Sequence, residues 1–277
     1  MWIDTHVHMD DDRYPDPETV RAEARAAGVG LVVIPSVGPA NFEHVRLLAH
    51  TWGDSYALGI HPMYIPDDME AALAALEQAL ARYHTDPHLV AVGEIGLDFF
   101  VPALTTPEAR ARQAYCLRAQ LRLARRYDLP VLLHVRKSVD GVVQALRQLP
   151  PVGAIAHAWS GSDQQAHTLV EMGVKLGLGG AMTFERATRL RAQAAQLPLT
   201  SLVLETDAPD IAPSWLYTTA QQRATGAQQG LNTPAQVPAI GQVLAQLRGM
   251  PVAQVGAQTT ANAYDVLPKL RALAAIP

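Results

Sequence analysis

Short apolar runs recur along this chain about every 30 residues, and between them the apolar positions fall at helical intervals. The first run, Met1 to His8, reads as a short strand. Leu31 to Pro35, Tyr56 to Pro62, Leu89 to Glu94, Val131 to His134, Gly153 to His157, Lys175 to Gly179 and Leu202 to Asp207 read as seven more. These runs are continuously apolar, the pattern of strands covered on both faces. The segments between them predict helices over 16–27, 41–51, 67–83, 107–127, 142–149, 163–172 and 187–196. Punctuation supports the first of these: Asp16 suits a cap, Pro17 a first turn and Gly28 a stop. Two further helices are expected near 236–247 and 260–267, and the Ala/Gln-rich stretch 219–230 is expected to be a mobile loop.

Eight strand–helix units in 277 residues predict an α/β fold, a closed (β/α)8 TIM barrel, forming a single domain over residues 1–277. A doubly wound open sheet is the alternative, but no Gly-x-Gly-x-x-Gly follows the first strand. The net charge of -4 excludes a protein that grips long duplex DNA by bulk charge, while leaving room for local basic patches. The single Cys116 excludes an intramolecular disulfide and fits a reducing compartment. With no signal-peptide pattern and no apolar run of membrane-spanning length, a cytoplasmic protein without a membrane partner is expected. Nothing in the sequence calls for an obligate protein partner.

Polar residues of metal-ligand type follow the apolar runs: His6 and His8, His61, Glu94, His134, His157 and Asp207. A single strand-end histidine is more often a hydrogen-bonded core residue than a ligand. In a barrel, however, all strand C-termini face one end, so this set converges there. Histidines and carboxylates without cysteine favour Zn, Mn, Ni or Mg. Six ligands exceed the needs of one tetrahedral ion. Two divalent ions bridged by a carboxylate is the natural arrangement, and it suits phosphoester cleavage, one ion activating water and the other holding a phosphoryl or leaving-group oxygen.

Six motifs carry a family likeness: Ile3-Asp4-Thr5-His6-Val7-His8-Met9-Asp10, Gly59-Ile60-His61-Pro62, Gly93-Glu94-Ile95-Gly96-Leu97-Asp98, His134-Val135-Arg136, His157-Ala158-Trp159-Ser160-Gly161 and Glu205-Thr206-Asp207-Ala208-Pro209. In this order the sequence resembles the TatD family of metal-dependent hydrolases and deoxyribonucleases, and Thr259-Thr260-Ala261-Asn262-Ala263 is similar to the family's closing helix. The resemblance implies a TIM barrel of the amidohydrolase superfamily. It also implies a metal centre on His6, His8, Glu94, His134, His157 and Asp207, with Glu94 bridging where relatives acting on amides or phosphotriesters often carry a carbamylated lysine. The chain departs from the family pattern at Met63, at Ala158 and Trp159, and at Leu231 and Thr233. These departures are expected on substrate-facing loops.

Catalytic roles fall to Asp207, as ligand and general base or as ligand alone, and to Glu94. Arg136 is expected to clamp a phosphate, with a rim ion pair as its alternative. His61 is expected to contact the phosphate or leaving group, or to hydrogen-bond behind a ligand. Asp98 either orients a ligand or caps a loop. Six arginines along 107–127 read as a solvated helix face rather than a nucleic-acid stripe. The expected activity is cleavage of DNA ends or single strands. The alternatives are hydrolysis of a small phosphodiester, phosphoester or cyclic amide and, in another class, a catalytically silent binding scaffold.

Overall fold

The computed structural model describes residues 1–274, in which eight parallel strands follow one another around a barrel in chain order. The strands are β1 (Trp2–Asp4), β2 (Val29–Pro35), β3 (Ser55–Leu58), β4 (Leu89–Asp98), β5 (Val131–Arg136), β6 (Ala154–Ala156), β7 (Lys175–Leu178) and β8 (Leu202–Leu204). Between them run α1 (Pro17–Ala26), α2 (Phe42–Trp52), α3 (Met69–Tyr83), α4 (Pro107–Arg126), α5 (Val139–Gln148), α6 (Asp163–Glu171) and α7 (Thr188–Gln196). After β8 come α8 (Ala220–Ala224), α9 (Val237–Arg248), α10 (Val252–Val266) and α11 (Leu270–Ala274). The two ends of the sheet join beyond the strands proper: Val7 pairs with Ala208, Asp207 N–H donates to His6 O at 2.9 Å, and His8 N–H donates to Ala208 O at 2.8 Å.

Side-chain caps set several helix starts. Asp16 accepts the Thr19 N–H at 3.1 Å, and Asp68 accepts the Ala71 N–H at 3.0 Å, so α3 begins just after Asp68 rather than at residue 67. Thr219 and Gln222 form a reciprocal capping box, which gives the expected loop 219–230 a short helix of its own. Two apolar layers hold the barrel. One lies between the strands and the surrounding helices. The other packs Ile3, Val33, Val90, Leu132 and Val203 against Val266, Leu267 and Leu270, so the C-terminal segment stoppers the barrel. Among the described residues no helix is long and apolar enough to cross a membrane.

Strand limits differ from the sequence reading in a way that matters for chemistry. β1 stops at Asp4, so His6 and His8 lie beyond it; β3 stops at Leu58, short of His61; β8 stops at Leu204, short of Asp207. β4 and β5 instead run on to Asp98 and Arg136, which leaves Glu94 in mid-strand. The pattern of apolar residues marks where a strand is buried. It does not mark where its ladder of hydrogen bonds ends.

At the N-terminal end of the strands, a buried ion pair ties α1 to the start of β3. Arg21 Nη2 donates to Asp54 Oδ1 at 2.8 Å, and Arg21 Nη1 donates to Val29 O at 3.0 Å. Both side chains are closed to solvent. Removing one partner leaves the other charge buried and alone. Asp54→Ala is therefore expected to lower unfolding free energy by about 3–5 kcal/mol, read from the urea midpoint at constant slope.

Candidate metal centre

Glu94 sits where the β4–β5 register shifts, between Val92 opposite Val131 and Ile95 opposite Leu133. The irregularity aims its carboxylate into the mouth of the barrel, where five imidazoles meet it. Oε1 lies 2.7 Å from His157 Nε2, 2.8 Å from His134 Nδ1 and 3.2 Å from His61 Nε2. Oε2 lies 3.1 Å from His6 Nε2 and 3.7 Å from His8 Nε2. Asp207 Oδ1 stands 3.7 Å from both His6 Nε2 and His8 Nε2. The six expected ligands are thus together, and His61 lies with them as a seventh side chain, deeper than a purely substrate-facing residue.

Backbone conformation accounts for the convergence. Val7's pairing keeps the chain extended past β1, so His6 and His8 stay on one side, their rings edge to face at 5.1 Å. Asp207 and Ala158 both take left-handed φ angles, +51° and +46°, three and two residues beyond the ends of their strands. Such conformations are uncommon without glycine and cluster at functional sites. Gly96, at φ +151°, lets β4 approach β5: a Cβ there would stand 2.0 Å from His134 O.

The electrostatics are those of a water-poor cluster. Burial works against the Glu94 charge, yet His157, His61 and His6 around it hold its carboxyl well below the usual range. Burial pushes His6 down to about 3, leaving a neutral imidazole. Burial also raises the Asp207 carboxyl above its ordinary value. His61 Nδ1 accepts the Met63 N–H at 3.1 Å, which puts the ring proton on Nε2, facing Glu94. His134 Nε2 donates to Asp98 Oδ2 at 3.0 Å and its Nδ1 lies 2.8 Å from Glu94 Oε1; burial works against the ring's charge, but these two carboxylates raise it above its ordinary value. Asp98 also accepts from Phe100 N and Val101 N, so it orients a histidine and caps a loop at once. His6 Nδ1 and His157 Nδ1 are buried without a hydrogen-bond partner. Burial opposes the His157 charge, yet Glu94 beside it pushes that ring up to about 10. Imidazoles and two carboxylates gathered this closely are the donor types that divalent metal ions take.

The sequence model for "TatD related DNase" matches residues 3–268. An uncharacterized metal-dependent hydrolase of Escherichia coli, YjjV, is 39% identical over 96% of this chain and 97% of its own. The crystal structure of the Escherichia coli TatD homologue YjjV superposes with a TM-score of 0.85 at 38% identity, covering 96% of this chain and 98% of the other. The chain belongs to the TatD family. A Pantoea relative named 3'-5' ssDNA/RNA exonuclease TatD is 32% identical over 91% of this chain and 93% of its own.

Several TatD-family residues that shape this site are invisible as chemistry in the sequence. Asp4, fully buried, accepts from Thr206 Oγ1 at 2.6 Å, Thr206 N at 3.0 Å and His6 N at 3.2 Å, binding the two ends of the barrel together. Glu205, raised to about 8 by burial, accepts the Ala158 N–H and lies 4.0 Å from His157 Nδ1. It fits only because residue 177 is glycine, where a Cβ would stand 2.1 Å from Glu205 Oε2. Their signal was weak because a lone carboxylate beside a strand reads as a cap or a surface charge.

One expectation about the departures needs correction. Trp159 faces inward, 2% exposed, its Nε1–H bonded to Gln193 Oε1 at 2.8 Å, so it fills the core rather than the substrate surface. Met63 and Leu231 are exposed. Asn232 between Leu231 and Thr233 is buried and donates to Thr206 O at 3.1 Å. Arg136 lies one pleat outward of His134, about half exposed, its guanidinium 3.9 Å from the Phe100 ring centre and 4.0 Å from Asp98 Oδ2.

Because Asp98 holds the His134 Nε2–H, Asp98→Ala is expected to release the ring and lose a charge-assisted hydrogen bond, costing about 1.5–3 kcal/mol. In metal-free protein the His134 pKa, followed by nitrogen NMR, should fall, because one of the two carboxylates that raise it is gone. An unchanged His134 titration would mean that other contacts hold the ring.

Proposed function

We propose that this TatD-family protein is a cytoplasmic deoxyribonuclease that hydrolyses phosphodiester bonds at DNA ends or in single strands with two divalent ions. The observation that carries this reading is the division of Glu94: Oε2 faces His6 and His8, while Oε1 faces His134 and His157. One carboxylate with an oxygen toward each group of imidazoles suits a bridged pair of ions, the arrangement used in phosphoester hydrolysis. His6, His8, Asp207 and Glu94 would hold one ion, and His134, His157 and Glu94 the other. When bound, Zn, Mn, Ni or Mg ions supply positive charge for the phosphoryl oxygens and bring the pKa of water toward neutrality.

The chain's own groups do the rest. Asp207 Oδ1, at the open side of the cluster, takes the proton of the attacking water, and its raised affinity for protons suits that task. His61 Nε2–H donates toward Glu94, which places the ring beside the bound phosphate or leaving group. Arg136, exposed and held loosely over Phe100, swings to the phosphate. Exposed Phe100, Trp215 and Tyr217 offer flat faces on which bases stack without regard to sequence. The Pantoea relative's name supports a single-stranded or terminal substrate.

Exposed Met63 and Leu231, where the family pattern is more polar, favour a second reading: a small phosphoester or cyclic amide as substrate. The intact cluster argues against a silent scaffold.

Glu94→Gln keeps the shape of the bridge and removes its charge. We expect loss of at least one ion by elemental analysis and a fall in rate of at least about 100-fold. Unchanged metal and activity would remove Glu94 from the ligand set.

A pair of variants separates chemistry from substrate grip. Asp207→Asn, a residue type that also tolerates positive φ, should mainly lower kcat. Arg136→Ala should mainly raise KM for a phosphodiester and leave an uncharged ester or amide untouched. If an amide is the best substrate and Arg136→Ala does not alter its kinetics, the nuclease reading falls and the general metallohydrolase stands.

A further inference from the structure

At the other end of the barrel, a second group of metal-type donors stands apart from the chemistry. His50 lies in the last turn of α2, and Asp86 and His88 lie in the loop that enters β4. One donor atom from each falls within 4.8 Å of the others. His88 precedes Glu94 by six residues, about 20 Å of extended strand, so the two clusters share no ligand.

Three details set this group apart from an ordinary surface His–Asp pair. First, His88 Nδ1 is 2.6 Å from Asp54 O, which can only accept. The ring proton is therefore on Nδ1, and the Nε2 lone pair is free of any hydrogen bond among the described residues. This is how a metal-ligating histidine is usually oriented, with its far N–H given to a backbone carbonyl. Second, the Asp86 carboxylate is already aimed: Oδ1 accepts from His88 N at 2.9 Å, and Oδ2 accepts from Tyr56 Oη at 2.9 Å and from His50 Nε2 at 2.7 Å. Third, the two imidazole rings lie 4.2 Å apart with no hydrogen bond between them. The loop itself is held by Lys269, whose Nζ donates to His84 O at 2.6 Å and Asp86 O at 3.1 Å.

We propose that His50, Asp86 and His88 bind one divalent transition-metal ion of the zinc class, distinct from the Glu94 cluster, and that this ion clips the end of α2 to the entry of β4. Two imidazoles and a carboxylate with a solvent-facing fourth position form a donor set that zinc takes. The ion takes the place of the proton between His50 Nε2 and Asp86 Oδ2, and that proton moves to His50 Nδ1, so that the ring ligates as a neutral imidazole. At this end of a barrel such a site serves stability rather than catalysis.

The test uses the full chain, stripped with chelator and dialysed against Zn2+. Zinc content is compared between the unaltered protein and a His50→Gln/His88→Gln variant, both checked for the same melting temperature in EDTA. The variant is expected to hold one zinc fewer per chain. The same comparison in a Glu94→Gln background should give the same difference, which keeps this site's fate separate from that of the Glu94 cluster. Equal zinc content with and without the two histidines overturns the proposal. Should the variant fail to fold, ring signals of His50 and His88 in the unaltered protein decide the matter: they must shift on zinc addition, and unmoved signals overturn it equally.

Discussion

A carboxylate sealed from water stays ionised only where donors and positive charge replace its lost hydration. Glu94 is in that position, 1% exposed and ringed by imidazoles. Leaving such a charge uncompensated would cost several kcal/mol, so the imidazoles and the anion must be placed together or not at all. The rest of the C-terminal end of the barrel follows from this demand. β4 breaks register to aim the carboxylate, Gly96 lets His134 come close, and Asp98 holds the His134 ring by its Nε2 with Nδ1 toward Glu94.

Placement also depends on closing the ring. His6 and His8 arrive after the first strand and Asp207 after the last, and the pairing between these two ends lies mostly beyond the strands proper. Asp4 takes up that task with bonds to Thr206 and to His6 N. It joins the segment that carries His6 and His8 to the one that carries Asp207. Asn232 adds a second tie by reaching from the late loop to Thr206 O. The left-handed turns at Asp207 and Ala158 persist in this setting because both neighbouring segments are pinned.

Much of this was legible in the residues. Buried strands announce themselves by continuous apolar runs, and caps such as Asp16 sit where their chemistry predicts. The convergence of the ligand-type residues was legible too, because barrel topology carries strand-end polar residues to one place. Other features were not. Whether Glu94 ends a strand or interrupts one depends on a register shift with β5, a long-range property that no local pattern encodes. Trp159, read from its place in a motif as substrate-facing, is core because Gln193 on a distant helix satisfies its N–H. Asp4 and Glu205 matter through partners some 200 and 47 residues away in sequence. The Arg21–Asp54 pair was equally hidden, since either residue alone reads as surface charge.

These differences separate what can vary from what cannot. The residues around Glu94 are buried and share hydrogen bonds, so a change in one moves several others. Met63, Leu231, Trp215 and Tyr217 are exposed on the loops beyond, and none of their side chains touches the carboxylate cluster by hydrogen bond or ion pair. A substitution there leaves the charge balance beneath it undisturbed. Asn232 shows how fine the division is: its neighbour Leu231 is exposed, while its own amide is fastened to the β8 segment that carries Asp207. Substrate preference in this fold can therefore drift residue by residue along the rim, whereas the cluster has to change as a unit or remain as it is.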